Sequence, residues 1–232
     1  MELNLIQLIA VYALPIVLAI TLHEAAHGYV AMRFGDLTAH AAGRVTLNPI
    51  RHIDPVGTVL LPLILLAVGK LLGGGGVIFG WAKPVPVNFA NLRRPKRDML
   101  WVAVAGPGSN LLMALLWAAL LKLSLAFPDS RFVVPLALMS AAGVYINVIF
   151  TVLNLLPLPP LDGGRILVSL LPHRAAYRVA QLERWGFPIL ILLLFTGILG
   201  ALLWPLVDVT IAGIAHGFGV PVYELMRLGN LY

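Results

Sequence analysis

Thr21-Leu22-His23-Glu24-Ala25-Ala26-His27 sits in the middle of an apolar stretch that runs from Asn4 to Phe34. About 20 apolar residues in a helix cross a bilayer core, so this stretch is long enough to span. Three ionisable side chains at membrane depth are costly, and a cluster of them marks a functional site. The order His-Glu-x-x-His adds a mechanism. Residues four apart share one face of a helix, so His23 and His27 can grip one metal ion. Glu24 stands beside them and could take a proton from a water activated by that ion.

The rest of the chain agrees with a membrane setting. Of 232 residues, 60% are apolar and 11% charged, against roughly 45–50% apolar for an ordinary soluble domain. Cysteine is absent, which excludes disulfides, a thiolate zinc site and a cysteine nucleophile. The net charge of +6 is read as a report of orientation in a lipid bilayer, with no nucleic acid as partner. Met1-Glu2-Leu3-Asn4 lacks the basic start of a signal peptide, so the first segment is expected to remain in the mature protein.

Five apolar blocks follow one another, at 5–34, 56–72, 99–127, 132–158 and 187–209. The second is short, and Gly57, Pro62 and Gly69 interrupt it. If it dips into the membrane and returns, thirteen Lys and Arg residues share one side and only Lys122, Arg131 and Arg227 lie on the other. That bias is stronger than the ten against six obtained if it crosses once. The expected fold is an all-α polytopic membrane protein forming a single domain over 1–232. About four transmembrane helices occupy 5–34, 99–127, 132–158 and 187–209. The segment 56–72 is re-entrant or interfacial, a fifth span being the alternative. Short membrane-associated β strands are expected at Arg44–Asn48, which alternates up to Asn48-Pro49, and at Val85–Phe89, where Pro84 and Pro86 exclude helix.

A catalytic zinc site uses three protein ligands and one open position. Most acidic residues lie in loops or at block ends, where solvation or capping explains them. Asp162 differs. It follows Asn154-Leu155-Leu156-Pro157-Leu158-Pro159-Pro160-Leu161 and precedes Gly163-Gly164. The prolines break the helix and the glycines permit close backbone approach, so this carboxylate has a structural reason to point inward. The four-span arrangement puts it at the same membrane end as His23 and His27.

These residues also carry a resemblance. His23-Glu24-x-x-His27, Ala105-Gly106-Pro107-x-x-Asn110 and Asn154-x-x-Pro157-x-Pro159-x-x-Asp162-Gly163 resemble, in order and spacing, the site-2 proteases, intramembrane zinc metalloproteases. The Gly43–Pro49 stretch and Phe79-Gly80-Trp81-Ala82-Lys83-Pro84-Val85-Pro86 are similar to the short prokaryotic members without PDZ or CBS modules. The resemblance implies that His23, His27 and Asp162 bind Zn2+, that Glu24 is the catalytic base, and that Asn154 contacts the substrate or the oxyanion. It implies transmembrane protein substrates, hydrolysed in or near their membrane segments, and a multi-pass place in a prokaryotic cell membrane. The oligomeric state is left open. Asn110 is read as helix packing, and His40, His52, His173 and His216 as solvated or capping. A transporter using His23, Glu24 and His27 as a relay is the competing reading; it has no need of Asp162 on a proline-broken turn.

Overall fold

A computed structural model describes residues 4–60, 64 and 82–228. Asn4 opens the first helix, α1 (Leu5–Arg33), through a reciprocal cap: its side chain accepts from the Gln7 amide, and the Gln7 side chain accepts from the Asn4 amide, both at 2.9 Å. A four-residue turn, α2 (Thr38–Ala41), follows. The next long helix, α3 (Pro95–Leu125), starts with proline at its first position, and the Asp98 carboxylate caps the Arg94 amide. Then come α4 (Val133–Leu155), α5 (Asp162–Leu170), α6 (His173–Gln181), α7 (Glu183–Phe195), α8 (Ile198–Phe218) and α9 (Val222–Leu228).

Four of these, α1, α3, α4 and α8, are long and apolar enough to cross a membrane. The protein is a multi-pass membrane protein. Helix α4 is the axis of the bundle: α1, α3, α5, α8 and α9 all pack on it. Small residues make this possible. Ser140, Ala141, Ala142 and Gly143 are fully or almost fully enclosed, and a Cβ on Gly143 would stand 2.4 Å from the Trp117 ring. In lipid, where apolar burial gives no drive, such close backbone packing holds helices together.

Two expectations change. The stretch 187–209 is not one helix. It breaks at Thr196 and Gly197, where Gly197 takes φ +76°, so the fourth candidate span is Ile198–Phe218. A left-handed residue ends a helix by turning its backbone out of register, and glycine is the residue that adopts it freely.

The expected strands are also absent: no β ladder occurs among the described residues. At Val85–Phe89 the amides that a ladder would use are taken by carboxylates. The Val85 N–H donates to Glu24 and the Asn88 N–H to Asp36, each at 2.7 Å, while Pro86 has none to give. Arg44–Asn48 folds as bends, and the Thr46 carbonyl accepts from His52 Nε2 at 2.9 Å.

The segment 56–72 lies mostly outside the described residues; its beginning, Pro55–Leu60, is a single π-helical turn. The ends of the region around it meet, since the Arg93 N–H donates to the Phe34 carbonyl at 3.0 Å. The chain therefore leaves α1 and enters α3 at the same end of the bundle.

Candidate metal centre

His23 and His27 are one turn apart on α1, and both are buried. Their rings stand nearly perpendicular, with centroids 4.7 Å apart. Asp162 is the first residue of α5, presented by the proline-rich turn that ends α4. Its Oδ2 lies 3.2 Å from Nε2 of each histidine, and the two Nε2 atoms are 3.1 Å apart. The three atoms form a nearly equilateral triangle. A tetrahedral zinc with ligand bonds of about 2.0–2.1 Å separates its ligand atoms by about 3.3–3.4 Å. The triangle matches one face of that tetrahedron.

Proton placement makes the fit sharper. His23 Nδ1 is 2.6 Å from the Asn110 side-chain oxygen, and His27 Nδ1 is 2.7 Å from the Val102 carbonyl. Both partners only accept, so both Nδ1 atoms hold the proton and both Nε2 atoms present lone pairs. Asp162 Oδ2 is buried and accepts no hydrogen bond. Three electron-rich atoms thus converge with no proton between them, an arrangement that a cation resolves.

The Asn110 amide cannot turn round. Its Nδ2 donates to the Ala19 carbonyl at 3.2 Å and to Asn147 Oδ1 at 3.0 Å, while Asn147 Nδ2 donates to the Gly143 carbonyl at 2.8 Å. Both asparagines are fully enclosed. A line of hydrogen bonds thus runs from the backbone of α4 through two amides to the tautomer of His23. Helix α3 approaches closely at Gly106, where a Cβ would lie 2.3 Å from His27 Nε2 and 2.6 Å from His23 Nε2. On the other side, Cβ atoms on Gly163 and Gly164 would strike the Leu156 carbonyl at 2.2 Å and the Pro159 nitrogen at 2.3 Å. Those two glycines let α5 start hard against its own turn.

Glu24 points to a different wall. Its Oε2 accepts the Val85 N–H at 2.7 Å. A cleft of about 150 Å³ joins His23, Glu24, His27 and Asp162, with Asn154 and Arg165 also on its lining. The Asn154 Nδ2 donates to the Phe150 carbonyl one turn back, at 3.0 Å.

Relatives of known naming share this chain's sequence. The model of peptidase family M50 matches residues 130–197. A Bacillus subtilis (strain 168) protein named "Putative zinc metalloprotease YwhC" is 38% identical over 198 residues, covering 84% of this chain and 84% of its own length. The chain belongs to peptidase family M50. A protein named "Putative zinc metalloprotease Rip2", from Mycolicibacterium smegmatis (strain ATCC 700084 / mc(2)155), is 33% identical over 179 residues, 77% of this chain and 64% of that protein. Its namesake in Mycobacterium tuberculosis (strain ATCC 25618 / H37Rv) is 27% identical over 223 residues, 92% and 78% of the two chains. No solved structure matches.

The site-2 protease resemblance therefore stands, and this M50 peptidase is a metalloprotease. Sequence reasoning had assigned Asn110 to packing and had not singled out Asn147. Here Asn110 orients a histidine of the cluster, and Asn147 orients Asn110. A buried amide inside an apolar span was the available signal, since such a group needs partners. His52, expected to be solvated or capping, is fully enclosed and ties the 46–52 turn to the Lys83 wall, its carbonyl accepting the Lys83 N–H at 2.9 Å.

Proposed function

We propose that this M50 peptidase is an intramembrane endopeptidase that hydrolyses peptide bonds in or near transmembrane segments of membrane proteins. Its metal is zinc. His23, His27 and Asp162 hold it, Glu24 is the catalytic base, and the whole chain works as a single domain in a prokaryotic cell membrane. The observation that carries this reading is the triangle of Nε2, Nε2 and Oδ2, with both Nδ1 protons committed to carbonyl oxygens. A cation would satisfy all three atoms at once, and Glu24 and Asn154 line the same cleft as the three ligands.

When bound, zinc lowers the pKa of a water to about 7 and polarises the scissile carbonyl. The protein supplies the rest. Glu24 accepts the proton of the attacking water and delivers it to the leaving amine. The Val85 amide holds the carboxylate on the cleft lining between those two transfers. Asn154 contacts the substrate carbonyl or the developing oxyanion through the amide hydrogen not used by Phe150. A substrate helix hides its carbonyls in internal hydrogen bonds, so the bound segment must unwind before attack.

The test is reconstitution of wild type and Glu24→Gln with single-span substrates, with bound zinc measured in parallel. Zinc retained and cleavage lost in the variant is the expected result. A relay for protons or metal would show ion flux without peptide products, and that outcome would discard the peptidase reading.

A further inference from the structure

Arg44 is buried, with 7% of its surface exposed. Among the described residues no carboxylate pairs with it. One guanidinium nitrogen donates to the carbonyls of Lys83 at 2.6 Å and Pro84 at 3.4 Å, and Nε has no partner. A buried cation without a counter-ion is costly. The neighbouring sequence has no acid to offer: residues 55–97 contain no Asp or Glu at all. Asp54 is turned to the Val56 and Gly57 amides, and Asp36 to Thr38, Asn88 and Asn91.

A cleft of about 580 Å³ opens beside Arg44. Arg51 and Lys83 also line it, with Ile50, Ile53 and Pro84, and no carboxylate lines it among the described residues. Pro84 lines the metal cleft as well, so the two clefts share one wall. A polypeptide running from one cleft to the other in extended form would advance about 3.3 Å per residue.

We infer that the Arg44 cleft is a charge-selective subsite of this peptidase, which receives an acidic side chain of the substrate a few residues to one side of the scissile bond. This rests on the peptidase reading above. The cations supply the charge that an Asp or Glu carboxylate needs, and Ile50 and Ile53 cover its methylene stem. The subsite also touches the catalytic machinery through the backbone. Arg44 holds the carbonyls of residues 83 and 84, and the next amide, that of Val85, holds Glu24.

The experiment uses the full zinc-loaded chain in phosphatidylcholine vesicles. Single-span peptides carry Glu, Ala or Lys at each position flanking the cleaved bond. At one position on one side, Glu should lower KM about three- to tenfold against Ala, and Lys should raise it. The double variant R51E/K83E should invert the order, preferring Lys, which a merely damaged fold would not do. Binding of the same peptides to Glu24→Gln gives a readout that needs no cleavage. Equal binding and cleavage of all three peptides at every position would overturn the subsite while the peptidase stands. Preferential binding of the acidic peptide with no zinc-dependent cleavage by wild type would sink the peptidase reading instead. If phosphatidylglycerol in the vesicles abolishes the preference, a lipid headgroup fills the cleft and the proposal fails.

Discussion

His23 and Glu24 are adjacent in sequence, yet different parts of the molecule hold their polar atoms. The histidines are fixed by transmembrane helices: Val102 and Asn110 of α3 accept their Nδ1 protons, and Asn147 of α4 fixes Asn110. Glu24 is fixed by a non-helical wall, through the Val85 amide. That wall is in turn tied to Asp36, Arg44 and His52. The contrast separates two tasks. A metal-binding geometry must be rigid, and helix backbone packed without voids supplies rigidity. Glu24 sits on the same helix as the histidines, but its carboxylate, which must move a proton beside an admitted substrate, is held from outside the helices.

Damage to the helical wall should act first on the metal, and damage to the loop wall on catalysis or stability with the metal in place. The largest effect is expected for Asp162→Ala, which should lose stoichiometric zinc and cleavage together by elemental analysis and peptide assay. Glu24→Gln should keep zinc and lose about 10²–10⁴ in kcat. Gly106→Ala comes next. Its new methyl would meet both Nε2 atoms, and a displacement near 1 Å costs roughly a hundredfold in activity. Gly108→Ala on the same helix, with nothing within 4 Å of the added carbon, should be close to wild type.

Asn147→Leu probes the helical wall at a distance from the metal. With the Asn147 acceptor gone and only the Ala19 carbonyl left to hold it, Asn110 can turn its amide and offer hydrogens to His23 Nδ1, moving the proton to Nε2. Zinc affinity should fall about 10–100-fold by competition titration. Asn147→Asp still accepts from Asn110 and should keep the affinity, even though overall stability drops. Equal loss in both variants would show that Asn147 only packs.

Asp36→Asn probes the loop wall and carries the smallest effect, about 1–3 kcal/mol of stability in detergent. Burial acts to raise the Asp36 carboxyl pKa, but bonds from Thr38, Asn88 and Asn91 outweigh it and hold the group below the ordinary carboxylate value. Its contribution is therefore full above the unfolded pKa of about 3.9 and is lost as pH falls through the folded value. The difference in unfolding midpoint between wild type and variant should shrink in the same acidic window.

Much of this was readable from residue order. His-Glu-x-x-His marks one helix face by periodicity alone, and Asp162 is marked by the prolines before it and the glycines after it. The break at Gly197 was missed because the apolar run continues through it, and hydropathy does not register a change of φ. The strands at 44–48 and 85–89 were expected from alternation and from proline. Alternation reports which side chains share a face, not whether a second strand stands beside them. Asp36 and Glu24 took the amides instead, and those contacts join residues 52 and 61 positions apart.

Sequence by itself determined that this chain lies in lipid, which side chains are of the kind that binds a metal, and the family to which it belongs. It did so because burial cost and helical period are local properties of residue type and spacing. Only the tertiary structure decided that His23, His27 and Asp162 meet with both histidine Nδ1 protons turned outward, and that α4 reaches His23 through two amides. Hydrogen-bond direction depends on what packs opposite, and no local pattern contains the opposite helix.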